Sequence, residues 1–288
     1  MFKFYLYKFG EYCVNHLPPW LAYKIAQLLS DVQYYFSPRD RRAVSNNLKV
    51  ILGNPENLSY LTREVFRNFG RYLVEFFRMA NAVNKDYIQE KIQSANLERL
   101  DEVLKKGKGA ILLTAHIGNW ELGGVVLSSL GYSVTAVALP HKERPVNDLF
   151  NKQREIRGLT IIPPHGAIRK CIETLKNNQM VALVADRDFT LSGEALNFFG
   201  RPTMIPKGPA VFAEKTGAPI LPLFLIRQGT MDNFILHMDE PIYPPTVNDP
   251  AREKQTVLNL MRTYTKVIER EIRKHPTQWL MFREFWIK

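Results

Sequence analysis

The chain reads as an α/β protein with a central, largely parallel sheet flanked by helices and preceded by an N-terminal amphipathic helical sub-region. From residue 96 onward, short apolar runs alternate with helical patterns in β-α-β-α order. Those runs are apolar throughout rather than at every second position, as in strands covered on both faces. Aromatic residues crowd the first eighty positions, where apolar spacing is helical. With 288 residues, 45% of them hydrophobic, the chain has enough material for a large core. The organisation expected is a helical, membrane-associating sub-region over 1–95 and an α/β core over 96–288, packed as one domain.

Near the N-terminus Phe2, Tyr5, Leu6, Phe9, Tyr12 and Cys13 follow i, i+3, i+4 spacing, with lysines beside them. After the break at Pro18-Pro19 the pattern resumes through Leu21, Ile25, Leu28, Leu29 and Val32. Such a hairpin either packs on the core or lies in a membrane interface, which suits aromatics flanked by lysines. "RDRRAVSNNLKVIL" and "SYLTREVFRNFGRYLVEFFRMA" add helices. In the second, Val65, Phe66, Phe69, Tyr72, Leu73, Phe76 and Phe77 form an apolar stripe, with Arg63, Arg67, Arg71 and Arg78 on the other side.

The core elements follow in order. "LERLDEVLKKGKG" is a helix with a glycine stop, "AILLTA" a strand, and "WELGGVVLSSLG" a helix with a C-terminal glycine. "YSVTAVAL" is a strand, "PVNDLFNKQREIRG" a helix opened by proline, and "LTIIP" a strand. "AIRKCIETLKNNQ" is a helix, "MVALVAD" a strand, "PKGPAVFAEKTG" a helix and "APILPLFLI" a strand. "FILHMDEPIY" is a further strand, with antiparallel pairing an option. Asp249-Pro250 caps a last long helix that His275-Pro276 ends.

The net charge of +11 draws the surface toward polyanions: nucleic acid, an anionic bilayer or phosphate-bearing substrates. No basic arm, recognition helix or zinc-finger pattern accompanies it, so a nucleic-acid partner is not expected. Cys13 and Cys171 have no spacing for metal or redox chemistry and read as ordinary thiols of a reducing cytosol. No run approaches the ~18 apolar residues of a membrane span.

"TAHIGNWELGG", residues 114–124, carries the chemistry. "AILLTA" ends a strand, Gly118 permits a turn, and Asn119 is a favoured N-cap for a helix opened by Trp120 and Glu121. His116 at the strand's carboxyl end and Glu121 in the first helical turn are then expected to face one another where open parallel sheets bind substrates. A neutral imidazole there takes a proton from an alcohol while a carboxylate fixes its tautomer. Helix N-terminal N–H groups stabilise an oxyanion. No G-x-S-x-G pattern supplies a covalent nucleophile, so attack by a substrate hydroxyl is expected. Asp186 follows "MVALVA" and falls at the same sheet edge. Arg187 suits a phosphate or carboxylate, with a surface salt bridge as the plain alternative. Lys207 and Gly208, at a helix N-terminus, suit the carrier's phosphopantetheine, CoA phosphates or an anionic head group.

"HIGNWEL" resembles the H-x4-D/E block of the lysophospholipid acyltransferase superfamily. The whole chain is similar to its bacterial lipid A biosynthesis acyltransferase branch, which includes late lauroyl/myristoyl and phosphatidylinositol mannoside acyltransferases. "RRAVSNNLKVIL", "ERPVNDLFNKQREIRG", "ADRDF" and "FFGRPTMIPKGPA" follow in family order. The resemblance implies a glycerol-phosphate acyltransferase-like fold and transfer of an acyl chain from acyl-ACP or acyl-CoA to a hydroxyl of a membrane glycolipid. A lipid A precursor is the first acceptor expected, phosphatidylinositol mannoside or another glycolipid or lysophospholipid the alternative. His116 takes the role of base and Glu121, aspartate in many members, that of orienting partner. Asn119, Glu143 and Arg154 join the substrate-contacting positions, with Arg157 competing for the place of Arg154. Glu194 is an acidic residue of the kind that approaches the histidine in some relatives. No metal or bound cofactor is implied. A groove for the acyl chain should run from the catalytic pair to the N-terminal helices, and the protein should lie peripherally on the anionic cytoplasmic face of the inner membrane. Two other readings stand beside this one: a non-catalytic basic membrane-surface or nucleic-acid-binding protein, and a hydrolase.

Overall fold

A computed structural model describes residues 2–189, 192–245 and 253–286. Five helices come first: α1 (Phe2–His16), α2 (Pro19–Phe36), α3 (Pro38–Leu52), α4 (Leu58–Ala82) and α5 (Lys85–Lys91). Then follow β1 (Ile92–Ala95), α6 (Glu98–Leu104), β2 (Ala110–Thr114), α7 (Trp120–Ser129), β3 (Val134–Val137), α8 (Arg144–Glu155), β4 (Thr160–Ile162), α9 (Ala167–Lys176) and β5 (Met180–Val184). The chain continues through β6 (Glu194–Phe198), β7 (Arg201–Ile205), α10 (Gly208–Thr216), β8 (Ile220–Gln228), β9 (Asn233–Met238), α11 (Glu253–Lys274) and a 3-10 turn, Pro276–Gln278.

Seven strands form one sheet in the order β1-β9-β8-β2-β5-β3-β4. The five from β8 to β4 are parallel, and β9 turns back antiparallel on β8. β1 pairs with β9 in parallel, so the sheet takes in residues 92–95, before the expected boundary at 96. β6 and β7 form a separate hairpin where no strand was expected. Its turn has positive φ at both Phe199 and Gly200, the twist that joins two strands tightly. Asp249-Pro250 lies outside the described residues.

α4 ties the helical layer to the sheet. Phe76 and Phe77 join the cluster around β2, β8 and β9, while Val65 and Phe66 pack with Val44 and Leu48 of α3. Gly70 lets α2 come close, since a Cβ there would stand 2.2 Å from the Ser30 hydroxyl oxygen. The arginines of α4 are not simply a solvated face. Arg63 and Arg67 both clasp Asp31 of α2, holding its carboxyl well below the usual range, and Arg71 is buried. Of the two arrangements open to the apolar stripe of α1, the structure has it facing outward: Tyr5, Leu6, Phe9 and Tyr12 are exposed, whereas Phe4, Tyr7 and Val14 pack on the core.

Candidate active site

β2 and β5 lie side by side, parallel, with Thr114 opposite Val184. His116 and Asp186 each come two residues later, so the register sets them at the same height on the carboxyl edge of the sheet. The His116 Nδ1 lies 2.7 Å from Asp186 Oδ1, and the backbone N–H of His116 donates to Oδ2 at 3.1 Å. Trp279, just beyond the 3-10 turn, donates its indole N–H to the same Oδ2 at 2.8 Å. Burial alone would raise the pKa of this fully buried carboxyl. The charge of His116 and the bonds from its ring, from Trp279 and from the His116 backbone outweigh burial and hold it below the ordinary value.

The contact expected between His116 and Glu121 is not formed. Asn119 does cap α7, accepting from Leu122 N–H at 3.0 Å, and Trp120 opens the helix as foreseen. Glu121, however, gives both oxygens to Arg154 of α8, at 2.6 and 2.8 Å. The ring of Trp120 lies edge-on to the imidazole, 4.9 Å away. Glu121 thus fastens α7 to α8 beside the site, and Asp186 is the carboxylate on the imidazole.

The turn between β2 and α7 is held from three sides. Gly118 sits at φ 60°, and a Cβ there would come 2.1 Å from the carbonyl oxygen of Leu225 in β8. Gly118 N–H donates to the Gln278 carbonyl, and Leu280 N–H donates to the His116 carbonyl. The Asn119 amide donates at 2.8 Å to Glu75 of α4, which forms a two-bond ion pair with Arg227 of β8. Gly118→Ala combines a left-handed backbone with this clash and is expected to cost several kcal/mol. Chemical denaturation should show that loss, together with reduced activity in whatever protein remains folded.

The remaining positions fall as follows. Glu143 is the N-cap of α8 and is not among the groups bonded to His116 or Asp186. Arg157 lies just past α8, and Arg154 is the one that meets Glu121. Glu194 opens β6, and among the described residues no hydrogen bond joins it to His116. Lys207 is the N-cap of α10 and Gly208 its first residue, where a Cβ would have open space on every side for 4 Å among the described residues. Arg187 lies over the ring of Phe189, 4.2 Å from its centroid, and forms no salt bridge among the described residues. Trp279, Glu75 and Arg227 were not foreseen. A signal existed for the last two: an acid inside the aromatic stripe of α4 and an arginine at the end of the apolar run "ILPLFLI".

A buried acid–histidine pair at the carboxyl edge of a parallel sheet is an arrangement suited to hydrolases and acyltransferases that work by general-base catalysis. Comparison with known proteins selects between them. The family model for bacterial lipid A biosynthesis acyltransferases matches residues 1–288, and the chain belongs to that family. It is 31% identical over 226 residues to a phosphatidylinositol mannoside acyltransferase of Mycobacterium tuberculosis (strain ATCC 25618 / H37Rv), covering 76% of this chain and 68% of the relative. The protein of that name from Mycolicibacterium smegmatis is 29% identical over 247 residues, with 84% and 78% covered. A lipid A biosynthesis acyltransferase of Haemophilus influenzae is 22% identical over 142 residues, with 49% and 45% covered. The protein is an acyltransferase acting on lipid substrates.

Proposed function

We propose that the protein moves a fatty acyl chain from an acyl thioester, acyl-ACP or acyl-CoA, to a sugar hydroxyl of a membrane glycolipid, with His116 as general base. The observation that carries this is the bond between Nδ1 and the buried, ionised Asp186, because it leaves the Nε2 lone pair to accept a proton. As Nε2 takes the hydroxyl proton, the oxygen attacks the thioester carbonyl and the C–O bond forms. The C–S bond then breaks, and the thiolate leaves with the proton from the imidazolium. Asp186 stays ionised and offsets the imidazolium charge. The N–H groups of Trp120 and Glu121, in the first turn of α7, have no partner within the helix and suit the oxyanion. The step needs no cofactor beyond the thioester.

Two acceptors fit the class. The phosphatidylinositol mannoside acyltransferases align at higher identity and over more of the chain than the lipid A enzyme does. That support moves a mannosylated phosphatidylinositol ahead of a lipid A precursor, reversing the order expected from sequence. Purified protein is tested with acyl-CoA and acyl-ACP donors against both lipids, with mass spectrometry as the readout beside His116→Ala. A product heavier by one acyl group, absent in the variant, is the result expected. Equal product from both proteins would remove His116 from the chemistry.

Apolar substrates need a lipid surface, and α1 and α2 offer one. Phe9, Leu28 and Phe36 are 66%, 64% and 82% exposed, beside Tyr5, Tyr12 and Trp20. Among the described residues no helix is long and apolar enough to cross a membrane. The face fits the headgroup region of an anionic cytoplasmic leaflet, with Lys8 and Lys24 on the same helices. From His116 toward α1 the rings of Trp120, Tyr72, Phe76, Phe150 and Tyr7 touch in succession. The acyl groove expected along this line is therefore a packed aromatic seam, one that a chain enters by parting rings. Changing Phe9, Leu28 and Leu29 together to serine should lower sedimentation with anionic vesicles by about tenfold or more, from the apolar area lost. Unchanged sedimentation would place the contact elsewhere.

A further inference from the structure

α1 carries large apolar side chains on two sides, and the folded chain covers only one of them. Tyr5, Leu6, Phe9 and Tyr12 are exposed, while Phe4, Tyr7 and Val14 lie half-buried on the core. A helix apolar on more than one side suits a lipid interface, where both sides can be covered. The covered side has a particular place. The ring of Tyr7 closes the outer end of the aromatic seam that starts at His116, meeting Phe150 of α8 at 5.4 Å and Phe77 of α4 at 6.0 Å.

The other walls of the seam are fastened. Glu75 and Arg227 tie α4 to β8, and Arg154 and Glu121 tie α8 to α7. α1 is held more lightly. It joins α2 through two residues, Leu17-Pro18, and its hold on the walls is a small set of hydrogen bonds. Gln153 of α8, 1% exposed, donates to Glu11 Oε1 at 2.7 Å and accepts from the Ala80 N–H at 3.3 Å. Asn15 donates to the Phe77 carbonyl at 3.0 Å and accepts from Asn81 at 2.9 Å. Glu11 Oε2 faces Lys8 of α1 itself, so its charge keeps a partner when the helix moves.

We infer that α1 is a hinged cover on the seam, latched by Gln153 and Glu11 in water and lifted at an anionic bilayer surface so that an acyl chain takes the place of Tyr7. The inference rests on the acyl-transfer reading and the lipid contact above. A chain entering the seam needs space, and α1 is the wall that no buried ion pair ties down among the described residues. Water opposes its departure, because lifting α1 would bare Phe4, Tyr7 and Val14 in addition to the four side chains already exposed. A bilayer surface removes that penalty, and Lys8 draws the helix to anionic head groups. Docking and opening then become one event, and a chain is admitted only where the lipid substrates are.

The test locks the cover. In the full chain with Cys13→Ser, where the remaining Cys171 is buried, Glu11→Cys and Gln153→Cys are joined by a short, reducible bifunctional thiol reagent. The locked protein should still sediment with anionic vesicles but transfer acyl groups about tenfold or more slowly than the same variant left unlinked, because only the open fraction admits a chain. Reducing the link should restore the rate. Equal rates for locked and unlinked protein would overturn the cover and leave α1 a fixed anchor. A second variant, Gln153→Leu, removes the latch without changing charge and should reach its full rate on vesicles poorer in anionic lipid than wild type needs. An unchanged requirement would overturn the latch. The linking yield gives a reading that needs no activity: high in buffer, and several-fold lower on protein already bound to anionic vesicles. The same yield in both states overturns the cover. If wild type transfers to no acceptor, the acyl-transfer reading fails, and the yield alone decides whether α1 lifts. Should no protein sediment with the vesicles, the cover falls with the lipid contact that opens it.

Discussion

Asp186→Asn is expected to lower kcat by about 10³–10⁴-fold with little change in KM. The carboxylate now accepts from the Trp279 indole and the His116 backbone N–H on one oxygen and meets Nδ1 with the other. An amide keeps its single oxygen on the two N–H donors and turns its NH₂ toward the ring. Nδ1 must then be the acceptor, Nε2 carries the hydrogen, and the base no longer faces the substrate. His116→Ala should be as damaging, and the double variant no worse than either single one, because the two residues act as a unit. Glu121→Gln separates this geometry from the alternative: it weakens the clasp on Arg154 and leaves the tautomer alone, so its loss should be smaller and partly one of stability. Equal losses in Asp186→Asn and Glu121→Gln would restore Glu121 as orienting partner.

Trp279→Phe tests the same pair through pH. Removing the indole donor takes away one of the interactions that hold the Asp186 pKa down, so that pKa should rise. A carboxyl depressed in the folded state contributes stability that is complete above its unfolded pKa of about 3.9 and is lost as pH falls through its folded value. In Trp279→Phe the loss should therefore be smaller and be complete at higher pH, seen as a shallower acid limb of the urea midpoint whose lower end moves up. Activity should lose its acid limb in the same direction. A limb that stays in place would show that the indole is only packing.

The legible part of this site and the hidden part differ in a physical way. His116, Asp186 and the Asn119 cap could be placed because each follows from local pattern: an apolar run, its end, and a turn. Both His116 and Asp186 stand two residues past their strands, and parallel strands carry such positions to one sheet edge. What local pattern does not contain is strand order. Without the adjacency of β2 and β5, the carboxylate five residues away in sequence looked nearer to His116 than the one seventy residues away. Trp279 was hidden for the same reason, since it arrives from the far end of α11. The β6–β7 hairpin escaped because its turn uses Phe199 at φ 51° where asparagine is the usual signal. On α4, helical spacing separated apolar from basic residues correctly but could not say that α2 would cover Arg63 and Arg67.

The second large effect expected lies at Glu75 and Arg227, whose side chains are each only 1% exposed. Breaking a buried pair leaves one charge without its partner, so Glu75→Ala or Arg227→Ala should destabilise the protein by about 3–5 kcal/mol in chemical denaturation. Replacing both with apolar residues of similar size, Glu75→Leu with Arg227→Met, removes the unpaired charge and should recover much of that stability, since such pairs barely offset their desolvation. Activity should not recover with it. Glu75 Oε2 is also the acceptor for the amide of Asn119, whose oxygen caps α7 and whose backbone N–H donates to Leu225. With leucine at 75 that amide has no partner in an apolar surrounding, and the turn carrying His116 has lost its tie to α4. Stability regained without kcat would show that the pair's role is to hold the catalytic turn in place. Recovery of both together would show that β8 and the segment after α11 position His116 unaided.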